Sequence, residues 1–159
     1  MKILNVHSRT INRPKEEIAQ VLATLASKDD KVWPVKSWPR IYFGGDNRIG
    51  SEGGHGPVRY VIERFDPKGV FQFRFLRPKG FNGIHKFEIK PITDQQTEVV
   101  HTISMTTKGM ATLQWYVVIR PLHDALLEDL LDRVENQFTE DPCSSEWSLW
   151  VRLMRRLMA

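Results

Sequence analysis

Three polar residues, Tyr60, His85 and His101, stand at otherwise apolar positions of predicted strands. Each shares its strand face with aliphatic and aromatic neighbours, so each is predicted to point toward the interior. A buried polar side chain needs a partner from the protein, from water or from a ligand. These residues are therefore either core residues that are satisfied internally or the sparse polar contacts of an apolar ligand cavity.

Histidine and tyrosine in such a cavity could perform acid–base chemistry, because histidine titrates near neutral pH. On a substrate that forms an enolate, His101 would act as the general base. Tyr60 or His85 would then donate a hydrogen bond to the developing enolate. If the protein is an enzyme, these three residues are its candidate catalytic residues. If the protein only binds a ligand, they would orient that ligand.

Other kinds of chemistry have little support in the sequence. His85 and His101 lie on neighbouring predicted strands, but no HExxH motif, cysteine cluster or third inner ligand accompanies them. The lone cysteine, Cys143, lies beside a proline after the long predicted helix, and Ser104 is predicted to face outward. Neither is placed as a nucleophile next to a base. The sequence therefore predicts neither a metal site nor a cofactor.

Alternation of apolar and polar residues from Val58 to Ile119 predicts the strands that position these groups. Turn residues such as those of Asp66–Gly69 separate the strands and indicate an antiparallel meander. A last strand is predicted over Ala111–Ile119. The residues predicted to contact a ligand are the inner-face aromatic and aliphatic side chains together with the three polar ones: Tyr60, Phe71, Phe73, Phe75, His85, Phe87, His101, Ile103 and Trp115.

Before and after these strands, the apolar residues recur with the period of a helix. A first strand over Lys2–Ile11 is followed by a short helix that begins at Pro14, and a second short helix or a turn fits the start of segment 28–40. A long amphipathic helix of about five turns is predicted from Pro121 to Asp141-Pro142. This segregation of strands and helices indicates an α+β fold with an antiparallel sheet, whose apolar face the long helix covers.

Composition and charge exclude several classes of partner. The 159 residues suit one domain, predicted over 1–140, with a tail over 141–159. The net charge is +4, and the basic residues are spread over strands and loops without a recognition motif, so no nucleic-acid partner is predicted. No apolar run approaches the roughly 20 residues of a membrane span. The N-terminus lacks a signal-peptide core, which predicts a cytoplasmic protein.

The tail is predicted to form an amphipathic helix from Ser144, with Trp147, Trp150 and Val151 on its apolar face. Such a helix can dock on its own domain, on a second subunit in a homodimer, or on a partner protein. An anionic membrane is a weaker alternative for tail 144–159, because a short helix with three arginines binds lipid weakly.

A glycine-rich segment, Gly44–Gly56, is predicted to be a mobile loop at the mouth of the cavity, because glycine removes side-chain cover and adds backbone freedom. Trp33 and Trp38 lie shortly before this segment. They either form the opposite lip of the cavity or pack beneath the loop.

The order of elements and several stretches resemble the SRPBCC superfamily of START-like helix-grip proteins, which includes birch-pollen allergens and polyketide cyclase/dehydrase-like proteins. The resemblance covers about residues 1–138. The matching stretches are the strand-to-helix junction Ile11–Pro14, the hairpin residues Gly54–Tyr60 and Phe71–Phe75, and the segments Gly80–Glu88 and Trp115–Asp124.

This resemblance implies a curved antiparallel sheet of six or seven strands wrapped around a long C-terminal helix. A cavity between sheet and helix would hold a small hydrophobic molecule, lipidic or aromatic. Members of the superfamily include lipid carriers, hormone receptors, aromatase/cyclases and co-chaperones, so the fold alone does not select a function. Three functions stay open: ligand binding, a cyclase/dehydratase reaction, and a protein-interaction domain with a filled core.

Overall fold

The computed structural model describes residues 1–45 and 48–158 and has an α+β architecture. A seven-stranded antiparallel sheet has the order β1-β7-β6-β5-β4-β3-β2. Its strands are β1 (Lys2–Ile11), β2 (Tyr42–Phe43), β3 (Glu52–His55), β4 (Val58–Asp66), β5 (Val70–Arg77), β6 (Phe81–Thr93) and β7 (Gln96–Thr107). The sheet is curved, and the long C-terminal helix lies against it.

The helices lie between β1 and β2 and after β7. They are α1 (Lys15–Leu22), α2 (Met110–Gln114), a π-helical turn (Trp115–Ile119), α3 (Arg120–Glu135) and α4 (Leu149–Met158). Segment 28–40 forms turns, so one short helix follows the first strand among the described residues. No helix of the described residues is long and apolar enough to cross a membrane.

The strand predicted over Ala111–Ile119 is wrong, because this segment is helical. Ala111 and Trp115 are buried and lie four residues apart, as on one helix face, whereas Leu113 and Val117 are 58% and 42% exposed. This helix has apolar residues on both its buried and its exposed face. The apolar residues therefore alternate in the sequence as they would in a strand. The π-helical turn joins α2 to α3, so helical structure runs without interruption from residue 110 to residue 135.

Pro121 lies inside this run, although it suggests a helix start in the sequence. Proline has no N–H to donate to the carbonyl of Val117, four residues earlier. Trp150 of α4 donates its Nε1–H to that carbonyl oxygen at 2.8 Å. The proline is thus accommodated by a local π-helical turn and by a donor from the tail.

The main core forms where α3 covers the sheet. Leu126, Leu130 and Val134 of α3 are fully buried, as the predicted apolar ladder requires, and they pack with strand residues such as Ile62 and Val99. The face of β1 that meets α3 is polar at its centre: Asn5, His7 and Arg9. Some of the acidic residues of α3 therefore pair with β1, and only part of the acidic side of this helix faces solvent.

The predicted loop Gly44–Gly56 includes Asp46 and Asn47, which lie outside the described residues. Its later part forms β3, in which Gly53 pairs with Phe43 and with Tyr60. A Cβ atom at Gly53 would lie 2.1 Å from the carbonyl oxygen of Tyr42, so the close approach of β2 requires glycine there.

Candidate functional site

A cavity of about 150 Å³ lies between the inner face of the sheet and the helical run from α2 to α3. Aromatic and aliphatic side chains form most of its wall, and we call it the sheet–helix cavity. Its sheet side includes residues of β3 to β7, and its helix side includes Trp115, His123, Leu126 and Leu130. A cavity of this size holds a single benzene-sized ring.

Eight of the nine residues predicted to contact a ligand line this cavity: Tyr60, Phe73, Phe75, His85, Phe87, His101, Ile103 and Trp115. Strand alternation brings the sheet residues together, whereas Trp115 reaches the cavity from the π-helical turn. The ninth residue, Phe71, is 2% exposed and packs edge-on against Phe65, with ring centroids 4.9 Å apart. Phe71 belongs to the main core outside the cavity lining.

His85 lies between two phenylalanine rings. Its ring centroid is 4.8 Å from that of Phe73 and 4.9 Å from that of Phe75, at interplanar angles of 22° and 28°. The β5–β6 register places Phe73 opposite His85, and Phe75 shares the same face of β5. Packing against both rings fixes the plane of the imidazole.

His85 and His101 form a pair across β6 and β7, with His101 Nε2 3.5 Å from His85 Nδ1. Burial lowers the pKa of both residues well below the usual value, so both imidazoles are neutral at neutral pH. The buried atoms His85 Nε2 and His101 Nδ1 have no hydrogen-bond partner among the described residues. Because one ring donates to the other, these two free nitrogens are one donor and one acceptor in either tautomer.

Tyr60 is the third predicted polar residue, and its ring centroid is 4.7 Å from that of His85. Burial raises the pKa of its phenol strongly, so the hydroxyl stays protonated. The structure thus brings Tyr60, His85 and His101 together at one wall of the cavity. Neutral imidazoles and a neutral phenol can accept or donate hydrogen bonds, and a neutral imidazole can accept a proton.

Two further histidines in the lining were not predicted from the sequence. His123 of α3 has its ring centroid 5.1 Å from that of His101, and His55 of β3 has its centroid 4.8 Å from that of Trp33. His123 precedes Leu126 and Leu127 by three and four residues, so the helical period would have placed it on the apolar face. His55 follows two glycines, and no alternation marks it.

Burial lowers the pKa of His55 to about 4, and the positive charge of Arg59 acts in the same direction. His123 also has a lowered pKa because of its burial. Four neutral histidines therefore lie in or beside the cavity wall.

The fifth histidine, His7 of β1, differs from these four. Its Nε2 lies 3.0 Å from Asp124 Oδ1 and its Nδ1 lies 2.8 Å from Glu128 Oε1. A carboxylate only accepts, so both ring nitrogens donate and the ring is an imidazolium. The hydrogen bond to Asp124 raises the pKa of His7 most; burial opposes it and Glu128 reinforces it.

The mouth of the cavity is built from the segment after α1 and from the tail. Trp33, Trp38 and Pro39 line the cavity on one side, and Arg155 and Met158 of α4 line it on another. The Arg155 guanidinium lies 5.0 Å from the centroid of the Trp38 ring and donates to the Ser37 carbonyl at 2.7 Å. These two tryptophans were predicted either to form a lip of the cavity or to pack beneath the loop, and in the structure both line the cavity wall.

The tail packs on the domain that precedes it. Val151 is 3% exposed within the main core, and the Trp147 ring lies 5.3 Å from the Trp38 ring. Asp129 of α3 accepts from Trp38 Nε1 at 2.6 Å and from Trp147 Nε1 at 3.0 Å. The helix predicted from Ser144 begins at Leu149, and residues 142–148 before it form neither helix nor strand.

This chain is similar in structure to several proteins of known structure. No protein-family model and no curated protein matches the sequence. Norcoclaurine synthase from Thalictrum flavum superposes with a TM-score of 0.67 at 11% identity, over 89% of this chain and 88% of that one. Zhui aromatase/cyclase from Streptomyces sp. R1128 gives 0.63 at 14% identity, over 88% and 98%.

A protein of Thermobifida fusca, solved by NMR in solution, gives a TM-score of 0.64 at 14% identity over 84% of this chain and 91% of that one. Identities this low concern the fold and leave the activity open. The order of elements, the curved sheet and the long helix agree with the resemblance seen in the sequence. The chain therefore shares the fold of these proteins, an antiparallel sheet against a long C-terminal helix, as the sequence resemblance implies.

Proposed function

We propose that this protein binds a small aromatic molecule, of the size of a single substituted ring, in the sheet–helix cavity. The observation that carries the proposal is a cavity of about 150 Å³ whose wall is apolar except for a few polar groups. A filled core, as in a domain that works only through its surface, would leave no such space. Burial of a ring here would be favourable by roughly 25 cal/mol per Å² of apolar area.

The polar groups in the wall indicate which kind of ring fits best. His85 and His101 together have one free donor and one free acceptor, and the Tyr60 ring lies beside that of His85. A phenolic hydroxyl can both donate and accept, so it would satisfy either tautomer of the histidine pair. A hydrocarbon would leave these buried nitrogens without partners, at a cost of about 1–3 kcal/mol each.

Calorimetric titration with 4-methylphenol tests this proposal. We expect saturable one-to-one binding by the full chain, and loss of binding in Ile103→Phe, because residue 103 is 1% exposed and lines the cavity. Ile84→Phe is the matched control, since Ile84 lies on β6 outside the cavity lining. No saturable binding, or equal binding by both variants, would refute the proposal.

The histidine pair also supports a second candidate, an acid–base enzyme. An imidazole can act as a general base only when it is neutral, and burial keeps His101 and His85 neutral. His101 Nε2 lies 3.5 Å from His85 Nδ1. Two proteins that share the fold are a synthase and an aromatase/cyclase by name. His101 would remove a proton from the carbon next to a carbonyl, and Tyr60 would donate to the enolate oxygen.

Hydrogen–deuterium exchange at the α-carbon of 1-phenyl-1,3-butanedione separates the two candidates. An enzyme should accelerate this exchange, and His101→Phe should abolish the acceleration, whereas Ile84→Phe, outside the cavity lining, should keep it. If the full chain binds 4-methylphenol but leaves the exchange rate unchanged, binding is the function and the enzyme candidate is excluded.

A further inference from the structure

A second group of histidines lies at the interface between β1 and α3, next to the cavity. His7, His123 and Asp124 each offer one ligand atom, and these three atoms all lie within 4.8 Å of one another. Asp124 Oδ1 is 3.0 Å from His7 Nε2 and 3.6 Å from His123 Nδ1. A tetrahedral Zn²⁺ with ligands at about 2.0–2.1 Å holds its ligand atoms about 3.3 Å apart. The two distances from Asp124 Oδ1 are therefore close to those of a zinc site, and a small movement of the imidazoles would complete it.

The surrounding groups are those that support metal ligands. Glu128 Oε1 lies 2.8 Å from His7 Nδ1, the nitrogen that would not bind the metal. Such a carboxylate–histidine contact orients the ring and raises its basicity as a ligand. On the other side, Asn5 Nδ2 donates to Asp124 Oδ1 at 3.0 Å and fixes the carboxylate. Asn5 is 8% exposed, so this support is rigid.

His123 Nδ1 provides a separate indication of a missing partner. This atom is buried and makes no hydrogen bond with the described residues, although it lies 3.6 Å from a carboxylate oxygen. The His7 and His123 side chains are each 13% exposed and the Asp124 side chain is 32% exposed. An ion could thus reach the group from solvent through Asp124.

The charges of this interface also favour a divalent cation. Arg9 and Arg120 supply two fixed positive charges. Four carboxylates of α3 face them among the described residues: Asp124, Glu128, Asp132 and Glu135. The carboxylates therefore exceed these fixed positive charges by two, which a divalent ion bound to neutral imidazoles would balance.

We propose that His7 Nε2, His123 Nδ1 and Asp124 bind a divalent transition-metal ion of the Zn²⁺ type. Two imidazoles and one carboxylate suit Zn²⁺ better than Ca²⁺ or Mg²⁺, which prefer all-oxygen ligands. Three protein ligands leave a coordination position for water or for a further ligand. His123 belongs both to this metal site and to the cavity lining, so the site adjoins the ligand cavity.

The alternative is that His7 is only an ion-pair partner that holds β1 to α3. Titration with Zn²⁺ distinguishes the two. The full chain, carrying Cys143→Ser to remove the exposed thiol and dialysed against EDTA, should bind one equivalent of Zn²⁺ in calorimetry. Co²⁺ in its place should give the visible absorption of a tetrahedral complex.

His7→Phe and His123→Phe should each weaken Zn²⁺ binding at least about tenfold, and Glu128→Gln should weaken it by about tenfold through its contact with His7. Glu63→Gln, which removes a carboxylate of β4 that pairs with Arg74 outside this group, should bind Zn²⁺ as the parent does. Glu128 is half-exposed, so its variant tests the site even if a ligand variant does not fold. Absence of saturable one-to-one binding, or unchanged affinity in the folded variants, would overturn the proposal.

Discussion

At the scale of residues, the histidines of this chain are held in two different states of protonation. Burial keeps His55, His85, His101 and His123 neutral, whereas two carboxylates keep His7 charged. The neutral rings contribute hydrogen-bonding groups to an apolar cavity without bringing charge into it. The charged ring instead joins the edge strand to α3. The same residue type thus lines a cavity in one place and joins two elements in another because its neighbours differ.

The neutral histidines should make the protein sensitive to acid. The pKa of His55 is about 4 when folded and about 6.5 when unfolded, so its contribution to stability is complete above pH 6.5. As the pH falls from 6.5 toward 4, the unfolded chain takes up a proton that the folded chain does not. The free energy of unfolding should therefore fall by about 1.4 kcal/mol per pH unit from this residue.

Urea unfolding of His55→Phe between pH 7 and pH 4 measures this effect. Its free energy of unfolding should depend less steeply on pH than that of the wild type. The difference between the two slopes should correspond to the uptake of about one proton on unfolding. Trp33→Phe is the control, because it changes the packing against the same ring without removing a titrating group. A His55→Phe slope equal to that of the wild type would show that His55 is not held neutral.

At the scale of elements, the tail helix completes the wall of the cavity. It is held by hydrogen bonds from two indoles, Trp147 to Asp129 and Trp150 to the carbonyl that Pro121 leaves free. Arg155 and Met158 then reach the cavity lining. Loss of an anchor should therefore detach α4 and open this side of the cavity, while the sheet and α3 stay folded.

Trypsin digestion of Trp147→Phe tests this role of the tail. The change removes a hydrogen bond to a carboxylate, worth about 1.5–3 kcal/mol, and should speed cleavage at Arg152 by roughly tenfold or more. Leu149→Ala should be cleaved like the wild type, because Leu149 is 82% exposed. Equal cleavage of all three proteins would mean that Trp147 does not anchor the helix.

Elements whose apolar and polar residues follow a clear local period can be predicted from the sequence, and elements that lack such a period cannot. Alternation correctly predicts β4 to β7 and places Tyr60, His85 and His101 on the inner face. It fails over Ala111–Ile119, because Thr112 and Gln114 alternate with apolar residues there although the segment is a helix with apolar residues on two faces. The correct segregation of strands and helices still gives the α+β fold.

At the scale of the whole molecule, the groups that define the candidate sites meet only through the fold. His7 and Asp124 are 117 residues apart in sequence, and no local pattern relates them. The acidic residues of α3 suggest a solvated helix face, yet several of them pair with the polar centre of β1. The sequence therefore predicts the inner face of the sheet but not the two histidines that α3 and β3 add to the cavity.

The central claim is that the space between sheet and helix is a binding site for one aromatic ring. The most direct test is an NMR titration of isoleucine methyl groups with 4-methylphenol. Ile41, Ile103 and Ile119 line the cavity, and their signals should shift together along one saturable curve. Ile84 and Ile92 lie outside the lining, and their signals should not move. Unchanged cavity signals at saturating phenol, or shifts confined to Ile84 and Ile92, would contradict the account.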